Sequence, residues 1–155
     1  MHHLWSKGDY EISTDPARID ARMVHEFLTN SYWAKGIPLE IVRKSIENSI
    51  CFGVYFGKHQ VGFARIISDL ATFAYLADVF ILPDYRGRGL SRWLMECIVS
   101  HPDLQGLRRW MLATHDAHGL YAKFGFTRIK SSEPWMEIHR PDVYARSGNQ
   151  SVPKR

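Results

Sequence analysis

Ile81-Leu82-Pro83-Asp84-Tyr85-Arg86-Gly87-Arg88-Gly89-Leu90-Ser91-Arg92-Trp93-Leu94 is the stretch around which the rest of the chain organises. A β-rich run, Thr72 to Leu82, stops at Pro83-Asp84, and a turn punctuated by Gly87 and Gly89 opens directly into an amphipathic segment. That segment, Gly89 to Ser100, carries Leu90, Trp93, Leu94, Cys97 and Ile98 on one helical face. Glycine lets main-chain amides approach an anion closely. The first helical turn leaves its N–H groups unpaired and carries the positive end of the macrodipole. Strand, turn and helix together predict a pyrophosphate seat at Gly87, Arg88, Gly89, Leu90 and Ser91, with Arg86, Arg88 and Arg92 adding charge at the rim. A tight turn with no ligand would use the same glycines, so the flanking strand, proline and helix carry the reading. The Gly-x-Gly-x-x-Gly spacing of a dinucleotide site is absent.

Outward from this turn, the chain reads as one domain over 1–145, followed by a polar tail over 146–155 that is expected to fray. Tyr10 to Ser13 is a short first strand. Arg18 to Asn30 carries Ile19, Met23, Val24, Phe27 and Leu28 on one helical face, with Asp15-Pro16 as its start signal. Ser31 to Pro38 is a loop and Leu39 to Asn48 a second helix. Ile50 to Phe56, the turn Gly57-Lys58-His59 and Gln60 to Ser68 form a hairpin. After the helix at Gly89 to Ser100 come a strand at Arg109 to Ala113, a short helix at His115 to Lys123, and strands at Phe126 to Ile129 and Trp135 to Ile138. This order predicts a mixed α/β domain with one central sheet and flanking helices.

At 155 residues and 45% hydrophobic composition, the chain can bury one substantial core. It has no apolar run long enough to span a bilayer and no secretory leader, so a cytoplasmic protein with no membrane partner is expected. Cys51 and Cys97 have neither disulfide-framework nor metal-site spacing. Eight histidines without a helical His-x-x-x-His pair argue against a metal. The formal charge of +4 permits polyanion binding, but the basic residues fall in separate clusters rather than one face. That distribution suits a phosphorylated small molecule better than nucleic acid.

The run Arg86-Gly87-Arg88-Gly89-Leu90-Ser91 resembles the Arg/Gln-x-x-Gly-x-Gly/Ala signature of the GNAT family of N-acetyltransferases. Ile81-Leu82-Pro83 matches the Val-x-Pro-like end of that family's preceding strand, while Ser91 departs from Gly or Ala at the last signature position. A second stretch, Ala117-His118-Gly119-Leu120-Tyr121-Ala122-Lys123-Phe124-Gly125-Phe126, resembles the family's Ala-x-x-Leu/Phe-Tyr-x-Lys-x-Gly-Phe pattern. The resemblance implies a mostly antiparallel sheet splayed at an acetyl-CoA site and acetyl transfer from acetyl-CoA to an amine. It implies Tyr121 as general acid toward the CoA thiolate and main-chain contacts to pantetheine from Phe80, Ile81 and Leu82. Thr114 stands where the family has an Asn that contacts the pantetheine arm.

The chemistry asks for such groups. A phenol of pKa about 10 stays protonated at neutral pH and can share its proton with a thiolate whose thiol has a pKa of about 8.5. Tyr121 could equally be a core tyrosine packed by Phe124 and Phe126. An amine of pKa about 10.4 is neutral in roughly one molecule per thousand at pH 7, so a base is attractive. Asp78 is the candidate, against the reading of a strand aspartate bound to backbone or arginine; His115, Asp116 and His118 could substitute. Tyr32 and Trp33 either wall the acceptor site or cap the core. The acceptor is expected to be a small-molecule or protein amine, a homodimer is possible, and a CoA- or acyl-CoA-binding sensor without turnover is the alternative.

Overall fold

The structure, a computed structural model, describes residues 1–146. Six strands form one sheet in chain order: β1 (Leu4–Lys7), β2 (Tyr10–Ser13), β3 (Ile50–Phe56), β4 (His59–Ser68), β5 (Phe73–Ile81) and β6 (Arg109–Met111). Every neighbouring pair is antiparallel except β5–β6, which is parallel. The antiparallel pairs β1–β2, β3–β4 and β4–β5 follow from short connections and β2–β3 spans two helices, whereas the parallel β5 and β6 are joined through helix α3 (Leu90–Val99), the long crossover a parallel pair requires. Helices α1 (Ala21–Thr29) and α2 (Leu39–Glu47) precede β3, and α4 (His118–Ala122) follows β6.

Strand alternation builds two cores, one on each face of the sheet. Phe52, Val54, Ala64 and Ile66 pack with Leu94, Met95 and Ile98 of α3. Cys51, Phe63 and Phe80 pack with Val24 and Leu28 of α1 and Val42 of α2. The helical periodicity read at Val24/Leu28 and at Leu90/Trp93/Leu94/Cys97 therefore does mark the buried faces. The mixed α/β reading with one mostly antiparallel sheet holds.

Several boundaries move, each for a local reason. Asp15 caps a 3-10 turn at Pro16–Arg18, accepting from Ala17 N–H at 2.9 Å, and Asp20 caps α1, accepting from Met23 N–H at 3.1 Å. An additional edge strand, β1, pairs with β2; three of its four residues are exposed, so it carries no apolar pattern. The expected strands at Phe126–Ile129 and Trp135–Ile138 do not form. Phe126 packs partly buried against the core, but the other apolar side chains stay outside it, with Met136 96% and Ile138 82% exposed. The neighbouring β6 offers only Arg109–Met111 as ladder, and Pro134 removes a donor at the start of the second run. Of the tail expected over 146–155, residues 147–155 lie outside the described residues.

Candidate active site

The turn between β5 and α3 has the backbone its glycines suggest. Gly87 (φ +78°) and Gly89 (φ +79°) are left-handed, and a Cβ at either would meet nothing within 4 Å. The glycines are therefore required by backbone conformation, and the space beside them is open. Gly89 caps α3 without any side-chain cap. Among the described residues, no acceptor is present for the N–H groups of residues 87 to 92, although the preceding amides of Tyr85 and Arg86 and the following amide of Trp93 are all bonded. A run of free donors at a helix start is the arrangement that favours anion binding.

The arginines divide by role. Arg86 Nε donates to the Ile81 carbonyl at 2.9 Å, bracing the loop against the strand end. Arg88 is exposed and makes a 3.5 Å contact to the Asp84 carbonyl. Arg92, 63% exposed, lies 3.8 Å from Glu96 one turn along α3. Leu90 is buried in the core beneath the turn, and Ser91 is half-buried beside it.

The strand leading to this seat has an open edge. β5 pairs with β6 only through Phe73↔Arg109, Ala74↔Trp110 and Tyr75↔Met111, so from Leu76 onward that side has no partner strand. On the other side, the register with β4 slips between Phe63 and Arg65, placing an extra residue in β5. The bulge holds Asp78 at φ +55°, a left-handed conformation that costs a non-glycine residue about 1–2 kcal/mol. Leu82 N–H is bonded back to the Val61 carbonyl at 2.8 Å. Because backbone groups alternate in direction, Phe80 and Leu82 face β4 and Ile81 turns its own to the open side. Of the three expected main-chain contacts, Ile81 is thus the one aimed into the cleft.

Asp78 is fully engaged. One carboxylate oxygen pairs with Arg65 Nε at 2.8 Å and the other accepts from Trp33 Nε1 at 2.8 Å. The ion pair is well shielded, with side-chain exposures of 17% for Arg65 and 10% for Asp78. Arg65 also donates to Ser49 Oγ at 3.2 Å. With both carboxylate oxygens in this network, Asp78 ties the bulge to Arg65 and to Trp33. Sequence reasoning did not single out Arg65, although an arginine inside Val61-Gly62-Phe63-Ala64-Arg65-Ile66 was the available signal. A charge in a buried strand demands a partner.

Tyr121 sits in α4 with its ring buried, in edge contact with Phe126 at 6.0 Å. Its hydroxyl has no hydrogen-bond partner, yet it is not sealed: among the described residues the fully buried, unpartnered side-chain polar atom is the Tyr55 hydroxyl. The phenol therefore opens onto accessible space. Burial first, then the neighbouring Tyr32 and Asp116, push its pKa up to about 12. Tyr32 stacks on His115 at 4.2 Å and 22° and meets Trp33 edge-on at 5.1 Å. The loop after α1 and the residues after β6 thus meet near Tyr121. Thr114 Oγ1 accepts from Ala117 N–H at 3.1 Å, so its oxygen shapes the entry to α4. Among the described residues, no group of three or more His, Cys, Asp or Glu is placed to hold a metal, and no helix is long and apolar enough to cross a membrane.

A free-amide helix start and a tyrosine with an accessible hydroxyl are the parts the two sequence signatures imply, and a strand with an open edge leads to them. The profile of the acetyltransferase (GNAT) domain matches residues 47–128, the span that holds all three. The chain belongs to the GNAT family. A protein of Gibberella zeae named as an acetyltransferase is 35% identical over 142 residues, covering 77% of this chain and 79% of its own. A crystal structure from Xanthomonas campestris pv. campestris, described as belonging to the GNAT family, is 51% identical with a TM-score of 0.86, covering 88% of this chain and 96% of its own. A Clostridium acetobutylicum structure described with acetyl-CoA shares the fold at a TM-score of 0.61 and 14% identity, covering 90% of this chain and 96% of its own. This GNAT domain is an N-acetyltransferase, and its β5–β6 pair parts beyond Tyr75 and Met111.

Proposed function

We propose that this enzyme transfers the acetyl group of acetyl-CoA to a primary amine by direct attack within a ternary complex. The observation that carries the reading is the run of unpartnered amides at residues 87 to 92, continuous with the open edge of β5. These donors, with Arg88 and Arg92 beside them, suit a diphosphate, and the Ile81 main chain suits an amide-bearing arm laid along the strand. When bound, the donor supplies an activated acetyl thioester. The rest of the chemistry belongs to the chain. Tyr121 presents a protonated phenol, which hydrogen-bonds the developing thiolate. His115, exposed and stacked on Tyr32, is the group assigned here to take the acceptor's proton, directly or through water, with the exposed Asp116 and His118 as substitutes. The Arg65–Asp78–Trp33 network positions the bulge and the aromatic wall. The free, buried thiols Cys51 and Cys97 fit a reducing, cytoplasmic setting. Both thiols are pushed up to about 12 chiefly by burial, which keeps them unreactive.

Release of free thiol from acetyl-CoA, measured with and without a mixed amine library, tests the reading. Amine-dependent release supports it; binding without release in any amine would leave a sensor. A second experiment separates the two acid–base candidates. His115→Gln is expected to flatten the acidic limb of the kcat/KM profile, because the base works only when unprotonated. Asp78→Asn is expected to keep that limb but lower stability by about 3 kcal/mol, since Arg65 would be left without its counter-charge. The reverse pattern would return the base to Asp78.

A further inference from the structure

We propose that the acetyl acceptor is an apolar primary amine, aryl- or alkyl-bodied and free of phosphate and carboxylate; this rests on the acetyl-transfer reading above. A groove of about 500 Å³ lies between α1, the loop at residues 31–33 and the end of β5. Phe27 stacks on the buried Phe80 at 3.9 Å and 6° and lines the groove together with Tyr32 and Trp33. Leu82 and Pro83 line it where β5 ends. The groove reaches the transfer point through its aromatic members. Trp33 is bonded to Asp78 on the bulge, and Tyr32 stacks on His115 beside Tyr121.

Both aromatics are unusually exposed for their size, Tyr32 at 58% and Trp33 at 41%. Neither is loose: the indole is tied by its hydrogen bond and the phenol by its stack. Rigid apolar faces of this kind bind a planar or aliphatic body at little entropic cost. The charge of the lining is equally selective. Glu26 is the charged side chain among the lining residues, which include no Lys, Arg or His. A phosphate or carboxylate on the acceptor would lack the cation that such groups need and would meet Glu26 instead. An ammonium is drawn in by Glu26 and by the aromatic faces.

The test compares kcat/KM for 2-phenylethylamine and glucosamine 6-phosphate at saturating acetyl-CoA. The apolar amine is expected to be preferred at least about tenfold. Tyr32→Ala, at an exposed position and checked for an unchanged melting temperature, is expected to raise KM for 2-phenylethylamine about tenfold while KM for acetyl-CoA stays within about twofold. Glu26→Lys is expected to shrink the preference about tenfold. Equal or better use of the phosphorylated amine overturns the inference, as does transfer to neither amine by protein that binds acetyl-CoA. A Tyr32→Ala effect on acetyl-CoA KM alone would assign the groove to the donor. Failure to bind acetyl-CoA at all is a different result and removes the acetyl-transfer reading itself.

Discussion

Tyr121→Phe is expected to lower kcat about a hundredfold or more while leaving the Kd for acetyl-CoA within about twofold. The substitution removes one oxygen and nothing else. The ring is buried against Phe126, and its hydroxyl has no partner, so phenylalanine fills the same space and the melting temperature should not fall. With its pKa pushed up to about 12, the phenol remains protonated through pH 10. Loss of activity between pH 8 and 10 is therefore not expected from this group. Full proton transfer from such a phenol to a thiolate of pKa about 8.5 is uphill more than about a thousandfold. In the proposed mechanism its contribution is a hydrogen bond that strengthens as negative charge develops, and the thiolate is finally neutralised by the amine's proton, passed on from His115 or water. Steady-state kinetics and calorimetry on the same preparation check this. Equal kcat in the variant would make Tyr121 a packing residue.

Gly89→Glu is expected to weaken acetyl-CoA binding at least about tenfold, or about 1.4 kcal/mol. Two effects add. A side chain at φ +79° is strained by about 1–2 kcal/mol, and the carboxylate would stand beside the amides proposed to face a diphosphate. Nothing lies within 4 Å of a Cβ there, so the fold has room for the change. Gly89→Ala separates the terms, because it keeps the strain and omits the charge. Calorimetry should rank wild type, alanine and glutamate variants in falling affinity. Equal affinities would remove the anion seat.

The parts of this site that the sequence revealed are those encoded locally. Pro83, Gly87, Gly89 and the apolar spacing from Leu90 to Ile98 specify a strand, a left-handed turn and a helix within one continuous stretch, without help from distant residues. Tyr121 was singled out by the resemblance of a short pattern, and the structure places it in α4 with an accessible hydroxyl. The bulge at Asp78 was not legible, because it depends on pairing with β4 and on Arg65, thirteen residues away. Nor does periodicity reveal that Tyr32 meets His115, a contact formed only when two loops distant in sequence come together. Strands expected at Phe126–Ile129 and Trp135–Ile138 failed for the converse reason. Apolar, β-prone residues supply propensity, but a strand exists only where a neighbour offers its ladder. Here Trp135 instead covers the Arg109 guanidinium at 4.7 Å.

The most direct measurement is a calorimetric titration of the purified protein with acetyl-CoA, paired with its melting temperature across the same concentrations. Free amides at residues 87 to 92 predict saturable heat at one site and a melting temperature that climbs with ligand. No heat and an unmoved melting temperature would contradict the account at its base.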